Sequence, residues 1–128
     1  MNTKKSLLLA YAQVLGICSL ISFTSCDNKV IAEFSIKNST SDRIDSLSVE
    51  PNVSLPGKYV SVEANEIVNY KADMTGLPQV DGAYVLRYKL NQSPVQKVFG
   101  YYTNGQPLSD VFRIEIRPDT TIIREGNY

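Results

Sequence analysis

The sequence predicts an all-β fold, a single antiparallel β-sandwich of about seven to eight strands. Three observations support this class. After Cys26 no segment has the three-to-four-residue hydrophobic period of an amphipathic helix. Short runs rich in β-branched and aromatic residues recur instead, about every 8–12 residues, between clusters of turn-forming residues. Several of these runs alternate apolar and polar residues, as a strand does when one of its faces is buried.

The predicted strands are eight runs bounded by proline, glycine or polar turn clusters. They are residues 30–37, 43–50, 58–62, 67–73, 83–90, 95–102, 111–117 and 120–125. In the first run, Phe34 and Ile36 share one face, while Ser35 and Lys37 share the other. The polar cluster at 38–42 then predicts a turn, because its short side chains hydrogen-bond to their own backbone.

Two features refine the next three runs. In the second run two apolar positions lie three residues apart rather than two, so we expect a β-bulge near Asp45-Ser46. The runs at 58–62 and 67–73 flank the polar segment 63–66, which predicts that they form a hairpin around it.

The runs at 83–90 and 111–117 alternate most regularly. Their predicted inward residues are Tyr84, Leu86, Tyr88, Leu90, Phe112, Ile114 and Ile116. Between these runs, Asn104-Gly105 is a strong tight-turn dipeptide. Pro107 limits how soon pairing can resume after that turn, because proline donates no ladder hydrogen bond.

Residues 1–25 resemble a bacterial export signal that ends in a lipobox. Lys4 and Lys5 form a positive start, residues 6–21 are mostly apolar, and Phe23-Thr24-Ser25-Cys26 closes the segment. The apolar run is longer than a signal core of about 7–15 residues and shorter than a spanning helix of about 20. An uncleaved anchor helix is therefore the alternative. The resemblance implies cleavage before Cys26 and a lipid on its sulfur.

That cleavage would leave a short tether at 26–29 and one sandwich domain at 30–128, which is a normal size for a single domain. Cys18 would leave with the signal, so no disulfide is expected. Loss of Lys4 and Lys5 would lower the 13 basic side chains to 11 against 13 acidic ones, a net charge of −2. This balance argues against nucleic acid as a partner, since nucleic acid requires a concentrated basic face.

The chain contains no histidine, which excludes serine–histidine and cysteine–histidine catalysis. A carboxylate pair could hydrolyse a glycosidic bond. The candidate acids are Glu63, Glu66, Asp73 and Asp81. They lie in predicted turns, where acids are common for structural reasons. Asp42 and Asp45, or the 73–81 loop, could bind calcium, but their spacing fits no established loop. We expect no catalytic residue, metal or cofactor.

The most distinctive local sequence is the tyrosine-rich segment at 99–105. Exposed tyrosines beside a turn can stack on sugars or form a protein-binding hot spot, so Tyr101, Tyr102 and Asn104 are candidate binding residues. The alternative is a hairpin whose aromatic rings close the core. If Phe99 and Tyr101 face the core, Tyr102 is the residue expected to be free.

Two short segments, Asp45-Ser46-Leu47 and Asp119-Thr120-Thr121, resemble the acid–hydroxyl–aliphatic sequon for O-glycosylation in some Gram-negative anaerobes. The resemblance implies that Ser46 and Thr120 are possible modification sites. Acid and hydroxyl residues beside turns are also ordinary, so a purely structural role is the alternative.

Strands of alternating direction sort the loops into two ends. The loops at 50–57, 74–82 and 103–109 would share the end where the lipid tether joins the domain, and they are the more apolar set. Their apolar residues are Val53, Leu55, Met74, Leu77, Val80 and Leu108. These residues either cap the open end of the sandwich or contact a membrane partner or the lipid itself.

Val80-Asp81-Gly82-Ala83-Tyr84 resembles the corner before a late strand in immunoglobulin-like sandwiches, although the chain has no tryptophan. Immunoglobulin-like and transthyretin-like sandwiches are both open. Overall the chain resembles small envelope lipoproteins of Gram-negative bacteria. That resemblance implies a non-enzymatic interaction or scaffolding role at the membrane, with an envelope protein or glycan as partner. A carbohydrate-binding module and an immunity-type protein that binds a toxin or hydrolase are the alternatives.

The membrane that holds the lipid is a separate question. Asp27, directly after Cys26, resembles the inner-membrane retention signal of enteric bacteria. Other Gram-negative groups do not follow that rule and mark surface export with an acidic run, which Asp27-Asn28-Lys29 is not. We expect the periplasmic face of the outer membrane.

Overall fold

The computed structural model describes residues 28–53 and 58–126; the predicted export signal and Cys26 lie outside these ranges. The described residues form nine strands. They are β1 (Ile31–Asn38), β2 (Ile44–Glu50), β3 (Val60–Val62), β4 (Ile67–Asp73), β5 (Gly82–Leu90), β6 (Ser93–Thr103), β7 (Gln106–Pro107), β8 (Val111–Ile116) and β9 (Thr121–Gly126). No helix within the described ranges is long and apolar enough to cross a membrane.

The strands form two sheets. The four-stranded sheet has the order β4-β1-β8-β9, and the five-stranded sheet has the order β3-β2-β5-β6-β7. Neighbouring strands are antiparallel except β1 and β8, which run parallel. An all-β fold is therefore confirmed, and eight of the nine strands lie where the sequence predicts them.

The two sheets face each other across a core of aromatic rings. Phe34 on β1 lies 5.2 Å from Tyr84 on β5 and 5.9 Å from Phe99 on β6, measured between ring centroids. Phe112 on β8 stacks on Phe34 at 5.6 Å. Edge-to-face and offset rings at these distances are the favoured aromatic geometries. The Tyr84 hydroxyl donates to Met74 Sδ at 3.6 Å, and burial raises the pKa of Tyr84 to about 12.

The alternation of the predicted strands is confirmed. The seven residues predicted to point inward on β5 and β8 are buried, except Leu90, which is partly buried against the core. The expected bulge on β2 is also confirmed, because the register with β5 shifts between Asp45 and Ser48. Ser46 has a φ of +53° at this bulge.

The predicted hairpin around residues 63–66 is wrong. β3 pairs with β2 in the five-stranded sheet, and β4 pairs with β1 in the four-stranded sheet. The segment between them therefore crosses from one sheet to the other. A polar turn at 63–66 fits either a hairpin within one sheet or a crossing between the two sheets. The pairing partner of each strand is decided by which sheet its apolar face must cover.

The ninth strand, β7, follows a two-residue turn. Asn104 and Gly105 have φ values of +50° and +70°, as a tight hairpin turn requires, and Thr103 then pairs with Gln106. Pro107 pairs with Tyr102 at the sheet edge, which is where a strand tolerates proline. The proline therefore shortens the strand to two residues without preventing it.

The loops sort into two ends, because successive strands alternate in direction except that the two-residue strand β7 and β8 run the same way. The far end consists of the segments 39–43, 63–66, 91–92 and 117–120. The tether end consists of Val30 and the segments 51–53, 74–81, 104–105 and 108–110. At the tether end Met74 N donates to Val30 O at 2.8 Å, and Gly105 N donates to Val80 O at 3.0 Å.

Asn38 organises the far end. Its side chain is fully buried, and its amide nitrogen lies 2.8–3.0 Å from the carbonyl oxygens of Asp42, Val62 and Glu63. Its amide oxygen accepts from the backbone and the hydroxyl of Thr40. One amide thus links the loop between β1 and β2 to the crossing between the sheets.

Candidate functional site

Gly100 decides which of two adjacent tyrosines faces solvent. It has a φ of +58°, and the register of β5 with β6 shifts at this point, so β6 carries one extra residue. The bulge puts Phe99 and Tyr102 against the core and leaves Tyr101 47% exposed. The expectation that Tyr102 would be free is therefore wrong, because an extra residue reverses the alternation beyond it.

The same glycine allows close packing. A Cβ at Gly100 would lie 2.7 Å from the Phe112 ring and 3.1 Å from the Tyr84 ring. The ring of Tyr102 packs 5.5 Å from Tyr84 and lies against the backbone of Gly82. Tyr102 is thus part of the core wall rather than a free binding residue.

The hydroxyl of Tyr101 is engaged by Asp81. The carboxylate of Asp81 accepts from the Thr103 hydroxyl at 2.6 Å, from the Asn104 backbone N–H at 3.0 Å, and from Tyr101. These donors lower the pKa of Asp81, and the same hydrogen bond raises the pKa of Tyr101. Asp81 therefore holds the turn after β6 in place, and Asn104 serves as a left-handed turn residue there.

The two predicted glycosylation positions have different surroundings. Thr120 is exposed in the turn between β8 and β9, where its carbonyl accepts from Arg117 N at 2.8 Å. Ser46 is partly buried at the β2 bulge and lines a groove on the outer face of the five-stranded sheet. Thr120 is therefore the more accessible hydroxyl of the two.

The candidate catalytic acids serve as turn acceptors. Glu66 Oε2 accepts from Glu63 N at 2.7 Å, and Asp73 Oδ1 accepts from Thr75 N at 2.9 Å. Asp81 binds the turn after β6 as described above. Glu63 also forms an exposed ion pair with Arg43 at 3.3 Å. The geometry therefore assigns a local structural contact to each of these four acids.

The tether end combines core-capping residues with exposed aliphatic ones. Met74 is buried and Leu77 packs against the core. Val53, Val80 and Leu108 remain exposed by 42%, 51% and 59%. Capping of the core therefore accounts for Met74 and Leu77, whereas contact with a membrane partner or the lipid stays a prediction for the three exposed residues; Leu55 lies outside the described residues.

Sequence reasoning missed Tyr59 as a candidate binding residue. Its side chain is 63% exposed and lines the same groove as Ser46. The signal that could have identified it is its position next to Val60, which faces inward, since neighbouring strand residues face opposite ways.

The described residues hold no group of three or more cysteines or acids arranged to bind a metal ion. No protein-family model, curated protein or solved structure matches the chain. The chain's own surfaces must therefore indicate what it binds. Two of them stand out, the exposed aliphatic residues of the tether end and the groove beside Tyr59.

Proposed function

We propose that this protein is a lipid-anchored, non-enzymatic interaction module of a bacterial cell envelope. In this proposal the acylated Cys26 holds the domain against a membrane, and the tether end faces that membrane. The proposal is carried by one observation: the first described strand begins at the end of the domain that also exposes Val53, Val80 and Leu108.

The length of the tether supports this orientation. Val30 is fixed to the domain, because its N–H donates to Thr75 Oγ1 at 2.9 Å and its carbonyl accepts from Met74. Val30 is the fourth residue after Cys26, and an extended chain of four residues reaches about 14 Å. A lipid on Cys26 would therefore keep the tether end close to the bilayer surface.

A binding role is favoured over catalysis by the chemistry of the side chains. The chain lacks histidine, and the acids that could replace it accept hydrogen bonds within turns. The partner we propose is an envelope protein or the lipid surface, met by the exposed aliphatic residues. The periplasmic face of the outer membrane is the location we propose.

We also propose a transthyretin-like rather than an immunoglobulin-like sandwich. In an immunoglobulin constant domain the first strand neighbours the second within one sheet. Here β1 lies between β4 and the parallel strand β8, while β2 lies in the opposite sheet. In addition, the Tyr84 hydroxyl bonds to a methionine sulfur rather than to the backbone of a tyrosine corner.

The anchor is tested by expressing the full chain in a Gram-negative host with a labelled fatty acid. We expect label in the wild-type protein and none in Cys26→Ser, with the wild-type mass equal to that of residues 26–128 plus acyl groups. An unlabelled, full-length wild-type protein would refute the lipid anchor.

The interaction role is tested by purifying the lipidated protein from native membranes beside the Cys26→Ser form, with identification by mass spectrometry. We expect an envelope protein enriched with the lipidated form, and its loss when Leu108 is changed to Ser. A captured secreted toxin or hydrolase would favour the immunity role instead, and equal capture by both forms would refute membrane-proximal docking.

A further inference from the structure

The outer face of the five-stranded sheet carries a groove of about 610 Å³. It is lined by Ser46, Tyr59, Arg87, Tyr88, Lys89, Pro94, Val95 and Gln96. These residues lie on or beside β3, β2, β5 and β6, so the groove crosses four neighbouring strands, a span of about 14 Å. Its volume lies within the range of about 300–1,000 Å³ that is typical of sites for small ligands.

Three polar groups that line this groove have no partner among the described residues, whereas Arg87 and the Tyr88 hydroxyl do have partners. Within residues 28–53 and 58–126 no hydrogen bond or ion pair is made by the Tyr59 hydroxyl, the Ser46 hydroxyl or the Lys89 ammonium. Gln96 accepts from Arg87 Nε at 3.2 Å through its amide oxygen, which leaves its amide N–H groups available. Tyr101 is also exposed, but its hydroxyl is bound to Asp81.

The β2 bulge contributes to the groove. Bulges re-aim side chains and are frequent beside binding sites. Ser46 at this bulge has a φ of +53°, a conformation that a residue other than glycine adopts at some cost. The Ser46 hydroxyl lines the groove and has no hydrogen-bond partner among residues 28–53 and 58–126.

The groove also has a net positive charge. Its two charged lining residues are Arg87 and Lys89, and none of its lining residues is acidic. Glu50 forms an ion pair with Arg87. Lys89 forms no ion pair within the described residues, and Asp45, its register partner on β2, pairs with Arg43 instead. A ligand that fills the groove is therefore favoured if it carries a negative charge next to Lys89.

From these observations we propose that the groove binds an oligosaccharide that bears a carboxylate group. The Tyr59 ring stacks on the apolar face of a sugar ring, and the Lys89 ammonium pairs with the sugar carboxylate. Ser46 and Gln96 supply hydrogen bonds to sugar hydroxyls. A peptide that adds as a further strand would bind at the free edge of the sheet rather than across this face, because the backbone groups of the inner strands already pair with each other.

The test uses the full chain, purified in detergent, on an array of acidic and neutral oligosaccharides that includes oligogalacturonides and their methyl esters. We expect binding to carboxylate-bearing glycans, and weaker binding to the methyl esters. Tyr59→Ala should weaken binding about tenfold and Lys89→Gln about threefold, whereas Tyr59→Phe keeps the ring and should bind as the wild type does.

Tyr101→Ala is the matched control, since it removes another exposed tyrosine outside the groove. It should leave binding unchanged. Chemical-shift changes on glycan addition should fall on residues 46, 59, 89 and 96. Binding to no array glycan, binding only to acidic peptides, or binding lost with Tyr101 rather than Tyr59 would each overturn the proposal. The outcome does not depend on the lipid anchor, so it is distinct from the proposed membrane role.

Discussion

The two ends of the sandwich are built on different principles. At the far end a buried amide, Asn38, hydrogen-bonds to both loops that meet there. At the tether end the exposed carboxylate of Asp81 orders one turn, and three aliphatic side chains remain in solvent. Buried polar groups contribute to stability because their partners are otherwise unsatisfied, whereas exposed aliphatic residues contribute little. The comparison indicates that the far end stabilises the fold and that the tether end is free to make contacts.

The largest effect is expected at the bulge that shapes the tether end. Gly100→Ala forces a side chain into the Phe112 ring at a positive φ, so we expect a loss of about 3 kcal/mol in the free energy of unfolding. Gly76→Ala is the control, since its φ is +78° but no atom lies within 4 Å of the added Cβ. It should lose only about 1 kcal/mol. Urea titrations measure both, and equal losses would mean that packing at Gly100 is unimportant.

The contrast between the ends is tested directly with two asparagines. Asn38→Ala leaves buried carbonyl and N–H groups unsatisfied at the far end, and we expect it to cost about 2–3 kcal/mol. Asn52→Ala at the tether end removes two 3.3 Å hydrogen bonds, to Tyr70 and Asp73, and should cost about 1 kcal/mol. Chemical denaturation of both variants measures the loss in the free energy of unfolding. A loss for Asn52→Ala equal to or above that for Asn38→Ala would contradict the proposed difference between the two ends.

The exposed aliphatic residues should affect binding to a membrane or an envelope partner without affecting the free energy of unfolding. Leu108→Ser and Val80→Ser are expected to change the free energy of unfolding by less than about 0.5 kcal/mol, yet to reduce retention on native membranes or with an envelope partner. Ile67→Ser is the matched control, because Ile67 is 60% exposed but begins β4 at the far end. Loss of retention in Ile67→Ser as well would mean that contact is not confined to the tether end.

The smallest effect concerns one carboxyl at each end. Arg117 and the Ser39 hydroxyl lower the pKa of Glu115 at the far end, whereas neutral donors led by Thr103 lower the pKa of Asp81. Each ionised carboxylate stabilises the folded state when the pH is above its unfolded pKa. This contribution to the free energy of unfolding disappears as the pH falls through the folded pKa. In NMR titrations, high salt should raise the pKa of Glu115 toward its usual range and leave Asp81 nearly unchanged. An equal salt response would contradict these causes.

Much of the strand layout was accessible from the sequence. Period-two alternation located the buried faces of β1, β5 and β8, and a broken period located the β2 bulge. The Asn104-Gly105 turn followed from the need for two positive φ values. These features are local, because they depend only on the backbone preferences and polarity of neighbouring residues.

The candidate site was harder to predict from the sequence than the strands were, for two specific reasons. The bulge at Gly100 exchanged the roles of Tyr101 and Tyr102, since one extra residue reverses every later side chain. Tyr59 was missed because a tyrosine in a strand has the same identity whether it faces the core or solvent. The groove that it lines joins residues from four strands, and no local pattern places Ser46 and Gln96 in one groove.

The sequence by itself determined the all-β class, the strand positions and the division of the loops between two ends, because alternation and turn chemistry act over a few residues. Only the tertiary structure decided that β3 and β4 belong to different sheets, that β1 runs beside β8, and that residues from four strands line one outer groove. Those outcomes depend on which apolar faces cover each other across the core. That choice is made by the packing of the whole domain rather than by any one segment.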